Sequence, residues 1–185
     1  MARPVLTIVP YDSSWPALFA LEAQALRAAF GSVALRVEHV GSTAVPGLAA
    51  KPIIDIQISV TSLVPFAPLA AVLERLGYRH IPLGEFDSVY PYFAKPPEWP
   101  STHHVHLCEV HGEQEARHLA FRDYLRSHPV ECEAYARLKR GLAATNTGAT
   151  LEDRERYSLA KSAHVEAVLA KARMAGYYRS NAPAA

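Results

Sequence analysis

An α/β (α+β) fold, a mixed β-sheet with flanking helices and a helical C-terminal third, is predicted by three observations. Short Val- and Ile-rich runs alternate with amphipathic segments over the first two thirds of the chain, and glycines punctuate the alternation. The last third turns to Ala, Leu, Glu, Lys and Arg at helical spacing. The 185 residues suffice for one domain with a substantial core and are too few for two of normal size. Residues 1–176 are therefore read as one domain and 177–185 as a flexible tail.

Residues 5–9 read as a short strand, after which Ser13 or Ser14 caps a helix with Trp15, Leu18, Phe19, Leu26 and Phe30 as its buried stripe. Gly31 ends it. Residues 34–41 form a strand closing at Gly41, 42–52 a loop, and 53–60 a second strand. Ser62 opens a helix that admits Pro65 and Pro68 in its first turn and buries Leu69, Val72, Leu73 and Leu76 before Gly77 stops it. Strands follow at 78–81, 89–94 and 104–110, with a Pro-rich surface connection at 95–100. Helices span 113–127, 130–144 and 151–175, separated by Pro129 and by a turn at 145–150, and residues 182–185 fray.

Composition removes several classes of function. Half of the residues are hydrophobic and 20% are charged, which excludes a disordered chain. Lys and Arg number 19 against 18 Asp and Glu, so the net charge of +1 gives no chain-wide attraction to nucleic acid or to an anionic membrane. Any anionic partner is met locally. The longest apolar stretch, 63–73, is too short for a bilayer and contains two prolines. Two cysteines, Cys108 and Cys132, make no disulfide scaffold and point to a reducing cytoplasm.

The most specific segment is Val37-Glu38-His39-Val40-Gly41-Ser42-Thr43-Ala44-Val45-Pro46-Gly47-Leu48-Ala49-Ala50-Lys51-Pro52-Ile53-Ile54-Asp55-Ile56, read as strand, loop, strand. Gly41 lets backbone approach a ligand, Ser42 and Thr43 offer hydroxyls and amides to phosphate oxygens, and Lys51 adds a positive charge. The other reading is a tight turn that needs glycine. In the second strand, period-two alternation sets Asp55, Gln57 and Ser59 on one side and Ile54, Ile56, Ile58 and Val60 on the other. The polar row is either a solvated face or the wall of a cleft in which Asp55 holds a divalent metal.

His104 and His106 are two apart in a strand and project from one face. With Asp55 they make a two-histidine, one-carboxylate set suited to Zn, Mn, Fe or Ni, or they touch phosphate or substrate directly. Cys108 shares their parity as a third soft ligand or, alternatively, a buried free thiol. Of Glu38 and His39 only one shares the cleft, and His39 is the choice, against its reading as a core histidine bonded to backbone. Arg122, Asp123 and Arg126 read as a structural pairing within a helix.

The run from His39 through Asp55 resembles the GrpB family, which is similar in fold to the nucleotidyltransferase superfamily. Further matching parts are Thr102-His103-His104-Val105-His106, Phe121-Arg122-Asp123-Tyr124-Leu125-Arg126, Tyr135 with Leu138-Lys139, and Tyr157 followed by Lys161. Together they cover most of the chain. The resemblance implies a nucleotidyltransferase-like sheet that carries the Gly-Ser loop and an acidic strand. Nucleotidyltransferases follow that loop with two alternating acids; here the second acid is replaced by Gln57, which supplies an amide oxygen without charge.

Three functions follow as expectations. In a metal-dependent nucleotidyltransferase, Gly41, Ser42 and Thr43 cradle phosphates, and Lys51, Lys139 and Lys161 balance charge while Tyr157 stacks. Asp55, Gln57 and His106 are its catalytic candidates, with Mg or Mn as the metal. A non-catalytic domain binding a nucleotide or a coenzyme-like small molecule is the second. A site for Zn or Ni on Asp55, His104 and His106 is the third. No nucleic acid and no membrane is expected as partner; a homodimer is among the assemblies allowed.

Overall fold

The computed structural model describes residues 6–146, 148 and 150–179. Trp15–Phe30 forms α1, opened by Pro16 in its first turn; Ser14 marks its boundary without a side-chain cap bond, and the Asp12 carboxylate instead accepts from the Ser14 amide at 2.8 Å. Strand β1 is Arg36–Val40 and β2 is Ile54–Val60. Helix α2, Phe66–Arg75, starts after Pro65 and not at Ser62, because Pro65 itself sits in the extended N-cap position. Three short strands, β3 Arg79–His80, β4 Tyr92–Lys95 and β5 His103–Glu109, complete the sheet.

Helices α3 Glu113–Ser127, α4 Pro129–Thr145, α5 Leu151–Leu159 and α6 Ser162–Met174 make up the C-terminal part. The expected single helix over 151–175 is thus two. No glycine or proline marks the break: residues 160 and 161 keep right-handed dihedrals, and the Lys161 amide simply tightens to the Ser158 carbonyl. The strand expected at 5–9 is reduced to one bridge, Val9 with Ala50, and Val5 lies outside the described residues. Gly84–Ser88 turns as a 3-10 segment, and the turn runs on through Val89 and Tyr90 into the strand expected at 89–94, leaving only Tyr92–Lys95 extended. Leu18, expected in the buried stripe of α1, is 45% exposed; Ala23 lines the core there with Trp15, Leu26 and Phe30. Tyr177 and Tyr178, expected in the tail, pack on the core beside α3, whereas 180–185 lie outside the described residues.

The five-stranded mixed sheet has the order β1-β2-β5-β4-β3, with only β2 and β5 parallel. One face carries Val37, Ile54, Ile56, Ile58, Phe93, Val105 and Leu107, and packs on α1 and α2 through Trp15, Leu26, Leu69 and Leu73. A second core lies on the other side, where Val45 and Leu48 of the loop meet Tyr124, Leu125, Tyr135 and Leu169. Register sets Val40, Asp55 and His104 side by side in one row and Glu38, Gln57 and His106 in the next.

That second face is polar, and α3 covers most of it with side chains of matching chemistry. Arg36 pairs with Glu115 at 3.2 Å, His118 Nδ1 with Gln57 Oε1 at 2.8 Å, and Arg122 with Glu38 at 2.8 Å. Arg122 also donates to the His39 carbonyl and to the Asp123 carboxylate. Positions 115, 118 and 122 share one helical face, so sheet polarity is met by a polar helix stripe instead of water. Gln57 and Ser59 are fully buried as a result.

Two residues, Gly41 and Asp55, shape the end of this face that α3 leaves open. Gly41 turns the chain after β1 at φ 68° and ψ −166°, a region essentially reserved for glycine, and a Cβ there would collide with the Asp55 carboxylate and come within 2.9 Å of the Asp55 Cβ. Asp55 Oδ1 in turn meets His104 Nδ1 at 3.0 Å.

Gly41→Ala is expected to lower stability by at least ~1–3 kcal/mol from the backbone alone, with the collision adding to it, as thermal or urea denaturation will show. Burial, above all, holds His39 and His118 near pKa 4 and His106 near 3, against the ordinary 6.5. Between those values the unfolded chain binds more protons, so stability present above pH 6.5 is lost as the pH falls toward 4. Denaturation from pH 7 to 5 measures that slope, and His118→Gln, which keeps a donor for Gln57 but does not titrate, makes it shallower.

Candidate functional site

Where β2 begins, the sheet meets the Gly41 turn, the C-terminal part of α5, α4 and the loop before β5. Asp55 is the carboxylate at the centre. Burial pushes its pKa up, but the hydrogen bond from His104 and the electrostatic pull of His104, His106 and Lys51 outweigh this and hold it well below the usual carboxylate range. The polar row was expected to be either a solvated face or a cleft wall. It is neither along its length: α3 seals Gln57 and Ser59, and only Asp55 reaches the opening.

Three lysines gather around Asp55. Lys51, Lys139 and Lys161 come from the loop, from α4 and from the α5–α6 junction, and none forms an ion pair with a carboxylate among the described residues. They rest on aromatic rings instead. Lys51 lies 5.5 Å from the Tyr157 ring centre and 5.6 Å from that of Trp99, Lys161 lies 4.4 Å from Tyr157, and Lys139 4.5 Å from Tyr135. Lys139 also donates to Ser42 Oγ at 2.9 Å. Burial first, then a neighbouring ammonium, Lys161 for Lys139 and Lys51 for Lys161, lowers Lys139 and Lys161 to about 7, and Lys51 is lowered by burial as well. Lys95 and Lys171, by contrast, each have a glutamate partner.

The structure brings together Gly41, Ser42, Lys51, Asp55, His104, His106, Lys139, Tyr157 and Lys161 at this end of the sheet. Several predicted members serve the fold instead of facing a ligand. Thr43 is buried, its hydroxyl donating to the Ile53 carbonyl and meeting His39 Nε2 at 3.0 Å, so no hydroxyl remains for a ligand. Gly41 serves the turn and the Asp55 side chain beneath it, the second of its two readings. Gln57, expected as a catalytic neighbour, has its amide oxygen taken by His118 and its nitrogen 3.4 Å from Ser59.

His39 lies on the apolar face, stacked on Phe19 at 4.7 Å, and it is Glu38 that shares the polar face, where Arg122 takes it. The Cys108 thiol is buried beside Ser59, and burial pushes its pKa up to about 12, which leaves it a small neutral core group. Arg122, Asp123 and Arg126 pair structurally, as expected.

Sequence reasoning missed Arg154 and Trp99. The Arg154 guanidinium lies 4.9 Å from the Trp99 ring centre, and the buried Trp99 Nε1 has no hydrogen-bond partner among the described residues. Arg154 stands three residues before Tyr157 and seven before Lys161, a spacing that marks one helical face. Trp99 lies in the Pro-rich 95–100 connection, which carries no periodic signal. A separate cavity of about 750 Å³ opens at the far end of α3, lined by Arg36, Glu115, Leu119 and Tyr177, and contains none of the predicted site residues.

As a metal centre, Asp55, His104 and His106 are only partly assembled. His104 Nδ1 and His106 Nε2 stand 3.0 and 4.0 Å from the same Asp55 oxygen, so the imidazole of His104 is bonded to the carboxylate and not fanned out beside it. Among the described residues no group of three His, Cys, Asp or Glu side chains is arranged to hold an ion. With one carboxylate at the opening and Gln57 sealed away, the donor set does not fit a pair of Mg or Mn ions.

No helix among the described residues is long and apolar enough to cross a membrane. A UPF0157 protein of Pseudomonas aeruginosa is 41% identical over 173 residues, covering 90% of this chain and 67% of that protein. A protein of Mycolicibacterium paratuberculosis named dephospho-CoA kinase is 33% identical over 165 residues, covering 76% of this chain and 40% of its own longer one. The crystal structure of the conserved protein GrpB from Enterococcus faecalis superposes with a TM-score of 0.79 at 37% identity, covering 91% of this chain and 98% of that one. The family model described as GrpB protein matches residues 5–171, and the chain belongs to that family.

Proposed function

We propose that the opening at Asp55 binds a phosphorylated small molecule of the nucleotide or coenzyme class, with Lys51, Lys139 and Lys161 taking its phosphate oxygens. The observation that carries this reading is the three lysines converging with no carboxylate partner among the described residues. Buried ammonium groups crowd one another at a cost, and a polyanion removes that cost while gaining charge-assisted hydrogen bonds. Asp55 offsets only one of the three charges. The half-buried Ser42 adds a hydroxyl at the same opening, and Trp99 supplies a flat surface beside Lys51, while the fully buried Tyr157 ring supports Lys51 and Lys161. The relative named dephospho-CoA kinase supports counting coenzyme A and its precursors among the ligands.

Binding without turnover is favoured over metal-dependent transfer of a nucleoside monophosphate. A two-metal clamp over the attacking and leaving oxygens needs more than one carboxylate at the opening, and Gln57 is committed to His118. Charge neutralisation falls to the lysines in this reading, so a divalent metal is not required.

Calorimetric titration with ATP and with coenzyme A tests this. Lys51→Met and Lys161→Met each weaken binding about tenfold, roughly 1.4 kcal/mol apiece. Unchanged affinity for both ligands in the double variant overturns the reading. Affinity is retained in EDTA, and a strict need for Mg would instead support the clamp. Because Lys139 and Lys161 stand near 7 when free and are pulled up by a bound anion, complex formation takes up protons above pH 7, and affinity falls as the pH rises from 7 to 9. Titrations in buffers of different ionisation enthalpy read that uptake directly.

A further inference from the structure

A buried lysine whose nitrogen touches a serine hydroxyl is a base in search of a proton, provided that no carboxylate holds it as a cation. Lys139 meets that condition. Its side chain is 2% exposed, its Nζ stands 2.9 Å from Ser42 Oγ, and no carboxylate pairs with it among the described residues. The Tyr135 phenol also interacts with the Ser42 side chain, and the Tyr135 ring supports the lysine at 4.5 Å. Gly41 precedes Ser42 with glycine-only dihedrals and turns the chain there, and Ser42 itself is half-buried at the opening beside Asp55.

We propose that Ser42 and Lys139 form a serine–lysine nucleophile pair that accepts an acyl group from activated esters or thioesters, with Tyr135 positioning the hydroxyl. Such a pair works because a neutral amine is a strong enough base to take the serine proton as the bond forms. In the first step Ser42 Oγ bonds to the acyl carbon and the ester C–O or thioester C–S bond breaks. The Oγ proton passes to Lys139 Nζ and from there to the leaving oxygen or sulfur. In the second step water bonds to the acyl carbon and the Oγ–C bond breaks, returning a proton to Oγ through Nζ, so that an acid and the free serine result. No oxidant, metal or further reactant enters.

The charged and titratable groups facing Lys139 are Lys161 from the α5–α6 junction, Cys132 and Arg140 from its own helix, Tyr135 beneath it, and Asp55 from β2. Burial and the Lys161 charge hold it near 7, so about half of it is neutral at that pH. The phosphate reading shares Ser42 and Lys139 with this one, but the two tests are separable. Binding by Lys51 and Lys161 is measured without Ser42, and acylation is measured without phosphate.

The experiment is incubation of the whole protein with p-nitrophenyl acetate, followed by intact mass measurement and peptide mapping. One acetyl group is expected on Ser42, with a burst of p-nitrophenol equal to the protein concentration. Ser42→Ala abolishes the adduct and Ser42→Cys restores it. Lys139→Met slows acylation on the order of 100-fold or more, the usual contribution of a positioned base. The wild-type rate rises with pH and levels above about 7, and that inflection is lost in Lys139→Met. Acetyl found only on Cys132 or on lysines overturns the proposal, as does a Ser42 adduct forming equally fast in Lys139→Met. Thermal melts of the variants identify any that fail to fold; should Ser42→Ala be one, absence of acetyl on Ser42 in the folded wild type decides against the pair.

Discussion

The approach of the Asp55 carboxylate to the backbone of Gly41 is the contact from which the rest of the site is built. It fixes where β1 ends, because only a residue without Cβ fits above that side chain. It places Ser42 at the start of the following turn, within reach of a lysine that arrives from a helix almost a hundred residues later. The same carboxylate accepts from His104 on the neighbouring strand, so the turn, β2 and β5 are tied at one point. Three lysines then gather near a single negative charge, and the excess of positive charge gives the opening its chemistry.

Helix α3 explains why that chemistry is confined to one end. A polar sheet face open along its length would be filled by water. Here Glu115, His118 and Arg122 meet Arg36, Gln57 and Glu38, and the face closes everywhere but at Asp55. Arg126 extends the contact to the carbonyl of Ala44, two residues past Ser42, so the same helix that seals the sheet also steadies the turn. The histidines that the sequence offers as ligands divide accordingly. His104 faces the opening with Asp55, while His118 serves the interior.

Much of this was legible in the residues. The order of strands and helices follows from period and punctuation, and α3 begins and ends where its spacing places it. Alternation along β2 correctly set Asp55, Gln57 and Ser59 on one side. What alternation lacks is any account of the layer above a strand, so the burial of Gln57 could not be read. The parity of β1 likewise separated Glu38 from His39 without saying which face was apolar, and Phe19 against His39 decides it. Trp99 was hidden for a different reason: a proline-rich connection has no period, and its indole is placed by Arg154 and Lys51 from distant parts of the chain. The break between α5 and α6 leaves no local mark because its dihedrals stay helical.

The three pairings between α3 and the sheet bear on how such a chain changes over generations. Each couples a group on the helix to a complementary group on a strand, and in each pair one member, Glu115, Gln57 or Arg122, is buried. Altering one member strands its partner as an uncompensated charge or an unsatisfied amide, a penalty larger than the net worth of the intact pair. Drift at these positions is therefore expected to proceed by double replacement, with charge reversed or removed on both sides together.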